Sequence, residues 1–268
     1  TGHIVGVGTA IALGGPGAVF WCWLTGVLGI ATKYGEGLLA VKYRISQGGR
    51  MLGGPMYAIE NGLASNKRGV ARWFWMVMAA AFAFFTAIAT FGIGSTVQAN
   101  AIATMSHETI GLPPVVIGGI VTILAAAVIM GGVKSIARCC QTLVPLMAVI
   151  YVLGCITILI INVHFVVPAL KLIIDSAFNP AAAGGGFVGT SIMMTARYGI
   201  ARGLFSNESG LGSAPIVAAS AQTKNPVRQA LVSSSGTFWD TVVICAITGV
   251  TIVSSILGFP DIEVSDGG

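Results

Sequence analysis

Residues 201–215 read ARGLFSNESGLGSAP, between apolar runs on both sides. From Gly203 onward this stretch holds four small polar residues (Ser206, Asn207, Ser209 and Ser213), three glycines and Pro215. Such a composition makes a poor continuous helix. Irregular backbone at membrane depth is tolerated only where protein or a water-filled cavity satisfies its polar groups. The reading is therefore a broken helix, unwound over 203–207. A second half starts near 209, where Ser206, Asn207 and Ser209 are of N-cap type. Close helix packing through small residues accounts for Gly and Ser equally well. It does not account for Asn207 and Glu208, which are costly in lipid. A half-helix N-terminus offers N–H groups to a carboxylate, and unwound carbonyls suit a cation.

The composition supports a bilayer setting. Of 268 residues, 14 are Lys or Arg and 9 are Asp or Glu, so 9% are charged and mean hydropathy is +0.88. A soluble domain carries about 25% charged residues. Soluble enzymes, nucleic-acid binders and disordered chains are thereby excluded. The net charge of +5 sits in short stretches between apolar runs, as topology signals do. Cys139 and Cys140 are adjacent, and Cys22, Cys155 and Cys245 lie in apolar runs. Five thiols without paired spacing read as buried or free, not as a disulfide framework. The opening TGHIVGVG and the closing SDGG both read as cut from a longer chain.

Charge-free runs map the spans, since a bilayer core needs about 20 apolar residues as helix. The spacing predicts a short helix over 3–13, a Gly-Gly-Pro-Gly turn and a spanning helix over 17–44. Further helices follow over 72–105, 113–131 and 135–162. A surface helix is expected over 163–178, then the broken segment 187–221 and a last span over 226–258. Stretch 42–72 carries six basic residues, and turns 132–138 and 222–228 carry two each. The alternate loops carry none, or only Lys171. By the positive-inside rule, 42–72, 132–138 and 222–228 are expected to be cytoplasmic.

Several polar residues stand out within these runs. Asp240, in FWDTVVICAITGV, is an intramembrane carboxylate and hence a functional candidate; the plain alternative is a structural partner to Thr237 or Arg202. Glu36 either pairs with Lys33 or lies near the cytoplasmic end of its helix. Gln98 and Asn100 either contact a substrate or bridge helices. His3 sits in a glycine-rich opening that echoes the 201–215 break, and His107 reads as a loop residue. Gly184, Gly186 and Gly189 match a dinucleotide-binding spacing, but no strand precedes them. Trp73, Phe74 and Trp75 read as an interfacial belt beside Arg72.

The motifs GGPGAVFW (14–21), TKYGEGLLAVKYR (32–44), GGPMYAIENGL (53–63), GIGSTVQANAIA (92–103), ARGLFSNESGLGSAP (201–215), NPVRQALV (225–232) and GTFWDT (236–241) resemble the alanine or glycine:cation symporter family across essentially the whole chain. The resemblance implies an all-α polytopic membrane protein with a leucine-transporter-like inverted-repeat fold, incomplete here and covering core helices 1b to 7. On that reading 1–268 is one transmembrane fragment. Residues 1–162 are the first repeat, 163–186 an extracellular connection, and 187–258 the start of the second repeat. The family usually has Asn in the motif Gly-Asn-Ile where this chain has His3, which puts a titratable imidazole in place of an oxygen ligand. It commonly has Glu-Lys where this chain has Gln141 and Thr142.

The expected activity is import of alanine or glycine across the inner membrane, coupled to Na⁺ or H⁺ by alternating access. No covalent step and no organic cofactor are expected. The substrate residues so implied are Thr1, Gly2, His3, Gln98, Gly203, Phe205, Ser206 and Asn207. The substrate carboxylate is placed at the Thr1 and Gly2 amides, its ammonium at the carbonyls of 203–207, and Phe205 closes over a small side chain. The cation-coupling candidates are Asn207, Glu208, Thr237 and Asp240. Expected partners are a small neutral amino acid and the lipid bilayer, with no nucleic acid. Two rivals stay open: a cation or solute channel with a filter at 203–209, and an intramembrane hydrolase using Glu208 and Asp240 as an acid pair.

Overall fold

The computed structural model describes residues 3–92, 94–179 and 191–259. Helix α1 (Ile4–Gly14) turns through Gly15, whose φ of 73° favours glycine, into α2 (Ala18–Lys42). A short antiparallel hairpin follows, β1 (Ile45–Gln47) with β2 (Arg50–Leu52), with Ile45 opposite Leu52. Its turn is Gly48-Gly49, both at positive φ, as a two-residue hairpin requires. Then come α3 (Pro55–Ala58), a π-helical turn (Ile59–Ala64), α4 (Gly69–Gly92), α5 (Ser95–Ile110), α6 (Pro114–Met130), α7 (Gly132–Ile161) and α8 (Val163–Phe178). The chain closes with α9 (Ile192–Asn207), α10 (Ala214–Ala218), α11 (Pro226–Thr237), a second π-helical turn (Phe238–Ile244) and α12 (Cys245–Gly258).

This is an all-α polytopic membrane protein. The helical stretches Gly69–Ile110, Gly132–Ile161 and Pro226–Gly258 are long and apolar enough to cross a bilayer. The helix expected over 72–105 appears as α4 and α5 on either side of position 93, which lies outside the described residues. The stretch 42–72 holds the hairpin, α3 and the first π turn, none of which its charge pattern announces. His107 lies in the last turn of α5, not in a loop, and its Nδ1 is 2.9 Å from the Leu112 carbonyl. The dinucleotide-like glycines of 184–189 lie outside the described residues.

Helix α2 is the spine, packed along α9 and α11. Small residues permit the approach. Gly29 faces Ser209 and Asn207, Gly37 faces Ala230 and Ser233, and Gly199 faces Ala18. A second core joins Val7 and Ile11 of α1, Val19 and Cys22 of α2, Ala169 and Ile173 of α8, and Cys245, Val250 and Val253 of α12. The expected surface helix is therefore only half right: α8 buries Ala169, Ile173, Ser176 and Ala177. Its tail also grips the α1–α2 turn, since a Cβ on Gly17 would stand 2.5 Å from the Ser176 carbonyl oxygen and the Ala177 nitrogen. Backbone cannot swing aside as a side chain can, so Gly17→Ala should destabilise by about 1–3 kcal/mol. A lowered melting temperature in detergent, with Gly8→Ala unchanged because its Cβ meets open space, is the check.

The thiols follow expectation in part. Cys22, Cys155 and Cys245 are buried, Cys140 is exposed and Cys139 lies between. Helices α4 to α7 leave most of their large apolar side chains outward, Trp73 and Phe74 among them. In a bilayer such a surface meets lipid or neighbouring helices.

Candidate functional site

Helix α9 has 16 residues, about 24 Å at 1.5 Å per residue, and is too short to cross a 30 Å core. It ends at Glu208, the only non-glycine among the described residues with positive φ, at 54°. Gly210 and Gly212 follow at 83° and 77°. Three left-handed positions in five residues stop the helix, and Pro215 in the first turn of α10 restarts it. The break is therefore real but displaced. Residues 203–207 are the last turn of α9 and not unwound, and the second half begins at Ala214, not near 209. The N-cap chemistry of Ser206, Asn207 and Ser209 goes elsewhere.

Asn207, buried, ties the break together. Its Oδ1 accepts from the Ser209 backbone N–H at 2.8 Å, and its Nδ2 donates to Thr241 Oγ1 at 3.1 Å. Ser209 Oγ donates to the Gly29 carbonyl of α2 at 3.1 Å. Helix α2, and Arg44 just past its end, then supply charges to the loose backbone ends. Lys33 Nζ donates to the Asn207 carbonyl at 2.6 Å, and Glu36 Oε1 accepts from Gly210 N–H at 3.0 Å. Arg44 donates to the carbonyls of Ala219, Ala221 and Thr223 at 2.8, 2.5 and 2.6 Å. Lys33 and Glu36 thus each take a backbone partner across the helix interface while still attracting one another, as expected. A cation at a helix C-terminus and an anion at a free N–H are the favourable placements.

Asp240 lies in the second π turn, a register slip that is often found at functional sites. Its Oδ1 is 2.9 Å from His3 Nε2. Its Oδ2 accepts from Ser206 Oγ at 2.8 Å and from Thr241 Oγ1 at 3.0 Å. His3 Nδ1 lies 3.3 Å from Cys245 Sγ and 3.4 Å from Ser206 Oγ. One carboxylate therefore joins the start of α1, the end of α9 and the π turn. Its hydrogen-bonded and ion-pair partners include His3, Ser206 and Thr241, and the expected Arg202 acts on it electrostatically. The Thr237 hydroxyl is buried with no hydrogen-bond partner among the described residues.

A cavity of about 690 Å³ adjoins this junction, bordered by His3, Gln98, Arg202, Phe205, Ser206 and Glu208, among others. Five of the sequence candidates meet there. Gly203 does not, because it packs on α2, where a Cβ would stand 2.8 Å from Thr25 Cβ. Thr1 and Gly2 lie outside the described residues. Glu208 accepts from Ser213 Oγ at 2.6 Å, while Asp240 is held by His3, Ser206 and Thr241. The two carboxylates thus have separate partners, and the acid-pair hydrolase has no geometric support.

The model of the sodium:alanine symporter family matches residues 1–266. The chain belongs to that family. Members of the sodium:alanine symporter family are transporters and not enzymes. The chain is 48% identical over 262 residues to a sodium/alanine symporter, AgcS, of Methanococcus maripaludis, covering 97% of this chain and 56% of that protein. It is 39% identical over 267 residues to a putative sodium/proton-dependent alanine carrier protein, YrbD, of Bacillus subtilis, covering 100% and 52%. It is 37% identical over 258 residues to a probable sodium/glutamine symporter, GlnT, of the same organism, covering 95% and 50%. The chain spans about half the length of the curated relatives it matches.

Sequence reasoning about this symporter-family chain missed Thr241, Arg202 and the charged side chains of α2 as parts of the site. Arg202 had a usable signal, since a permanent cation inside a membrane-length run is a functional candidate by itself. Thr241 had none, because the π turn that presents it leaves no compositional mark.

Proposed function

We propose that the full-length protein is a secondary symporter that imports a small neutral amino acid, alanine or glycine, with Na⁺ or H⁺. The observation that carries this reading is the junction of His3, Ser206 and Asp240 beside the 690 Å³ cavity. It joins a glycine-rich helix start, a helix break and a π turn, and each element can change its backbone hydrogen bonding without unfolding. The family match supports coupled amino-acid transport, and the relatives' names span alanine and glutamine, Na⁺ and H⁺.

In this reading the cation binds near Asp240, with the Ser206 and Thr241 hydroxyls on one carboxylate oxygen and the orphaned Thr237 hydroxyl one helical turn before Thr241. His3 occupies the other carboxylate oxygen. Asn207 supports the site from behind, and Glu208 fronts the cavity. The substrate lies in the cavity against Gln98, Phe205 and Ser206. The cation favours one arrangement of the break and the substrate permits closure, so each biases the same equilibrium. Residues 1–162 form the first inverted repeat and 187–258 the start of the second, joined by the extracellular connection 163–186. Loops 42–72, 132–138 and 222–228 face the cytoplasm, and the protein resides in the inner membrane.

The test is accumulation of radiolabelled alanine in proteoliposomes bearing the full-length protein, under an imposed Na⁺ gradient and separately under a pH gradient. Na⁺-driven accumulation is expected. Accumulation under the pH gradient alone assigns the coupling ion as H⁺, carried by the His3–Asp240 pair. Flux that equilibrates without accumulating under either gradient replaces the symporter with a channel.

A further inference from the structure

The chain enters α4 through a cluster of positive charge. Lys67, Arg68 and Arg72 fall within six residues, and the nearest acids in the sequence are Glu60 and Glu108. All three basic side chains are exposed. Among the described residues none of them makes an ion pair or a side-chain hydrogen bond. The first turn of α4 holds no acidic residue. A helix N-terminus carries partial positive charge, so basic residues gathered there work against the helix. Neither pairing nor helix electrostatics gives these three charges a role inside the molecule.

Their position supplies one. The stretch Gly69–Ile110 is long and apolar enough to cross a bilayer, so its first residues stand where headgroups meet the hydrocarbon. Trp73 and Phe74 follow Arg72 directly and are 67% and 51% exposed. Aromatic rings favour that depth. Between Arg68 and Val70 the chain turns at Gly69, at φ 59°, with open space where a Cβ would stand. Nothing obstructs a headgroup there. From Lys67 inward the surface runs from cations to outward rings to apolar helix. A phospholipid with a negative headgroup has the same sequence of parts, phosphate first and acyl chain last. A soluble anion would match the charges and leave the rings unused.

We infer that Lys67, Arg68 and Arg72, with Trp73 and Phe74, form a docking surface for an anionic phospholipid. The three cations hold the phosphate, and the acyl chains lie along the start of α4 past the two rings. This inference stands on the membrane fold and the exposed charges, and is independent of the symport reading.

The experiment titrates the full-length protein, in a neutral detergent, with phosphatidylglycerol and separately with phosphatidylcholine. Bound lipid is counted by native mass spectrometry. One basic side chain near an anionic headgroup is worth about fivefold in binding, so three predict a preference of roughly 100-fold for phosphatidylglycerol. In the triple variant Lys67→Gln, Arg68→Gln and Arg72→Gln the preference should fall to within a few-fold of unity. Lys171→Gln, which removes an exposed charge from α8, should leave it intact. Equal binding of the two lipids by the wild type overturns the inference, and so does an undiminished preference in the triple variant. Displacement of phosphatidylglycerol by an equal concentration of glycerol phosphate also overturns it, because the site then takes free phosphate and has no use for the chains. If the triple variant yields no folded protein by size-exclusion chromatography, Arg68→Gln alone carries the test, with a fall of about fivefold expected.

Discussion

Replacing Asp240 with Asn in the full-length protein should reduce gradient-driven alanine uptake at least 100-fold. The amide is nearly the same shape, and its oxygen still accepts from Ser206 and Thr241. What it loses is the charge. His3 then faces a neutral group where it now faces a carboxylate oxygen at 2.9 Å, and a cation loses its anionic ligand. Removing one member of a buried ion pair costs about 3–5 kcal/mol. These side chains are 32% and 29% exposed, which places the loss at the lower end, and about 1.4 kcal/mol is a factor of ten in rate. Uptake in proteoliposomes, with the melting temperature as a control for folding, checks this. If Asp240→Asn keeps more than half of wild-type accumulation, Asp240 is a structural tie, and the coupling site must be sought elsewhere.

The second large effect belongs to Arg44. Its guanidinium donates to three carbonyls that end α10 and the segment after it. These backbone groups have no continuing helix to serve them. A hydrogen bond to a charged group is worth about 1.5–3 kcal/mol, and the three share one donor group, so Arg44→Met should cost about 3–5 kcal/mol. Arg44→Lys, with a compact ammonium, reaches fewer carbonyls and should fall between. Thermal unfolding in detergent measures both. A melting temperature unchanged within a degree for Arg44→Met shows that water takes over these carbonyls.

Much of this could be read from residues alone. Hydropathy set the spans to within a few positions, because bilayer thickness dictates helix length. The break in 201–215 was legible because glycine and proline work against continuous helix there and Asn207 and Glu208 are costly in lipid. Its extent was not. Gly203 resembles a hinge on paper, but its missing side chain serves contact with Thr25, and close packing and unwinding call for the same residue type. The partner of Asp240 was also hidden. His3 lies 237 positions away, and only the closing of α1 against α9 and the π turn brings the two together. Lys33 and Glu36, three apart on one helix, satisfy the usual rule for an intrahelical pair. Tertiary contact adds to that attraction by offering each a backbone partner at the break.

In the proposed symporter, Lys33 and Glu36 of α2 and Arg44 just past its end bear on the part of the cycle in which nothing is carried. A carrier that relied on its cargo to neutralise the ends of a broken helix would lose that support at each release. Here lysine and arginine stand permanently at the carbonyl ends and glutamate at a free amide. The interruption therefore has its shape with no passenger aboard, and in the proposed symporter the return journey would proceed without rebuilding it.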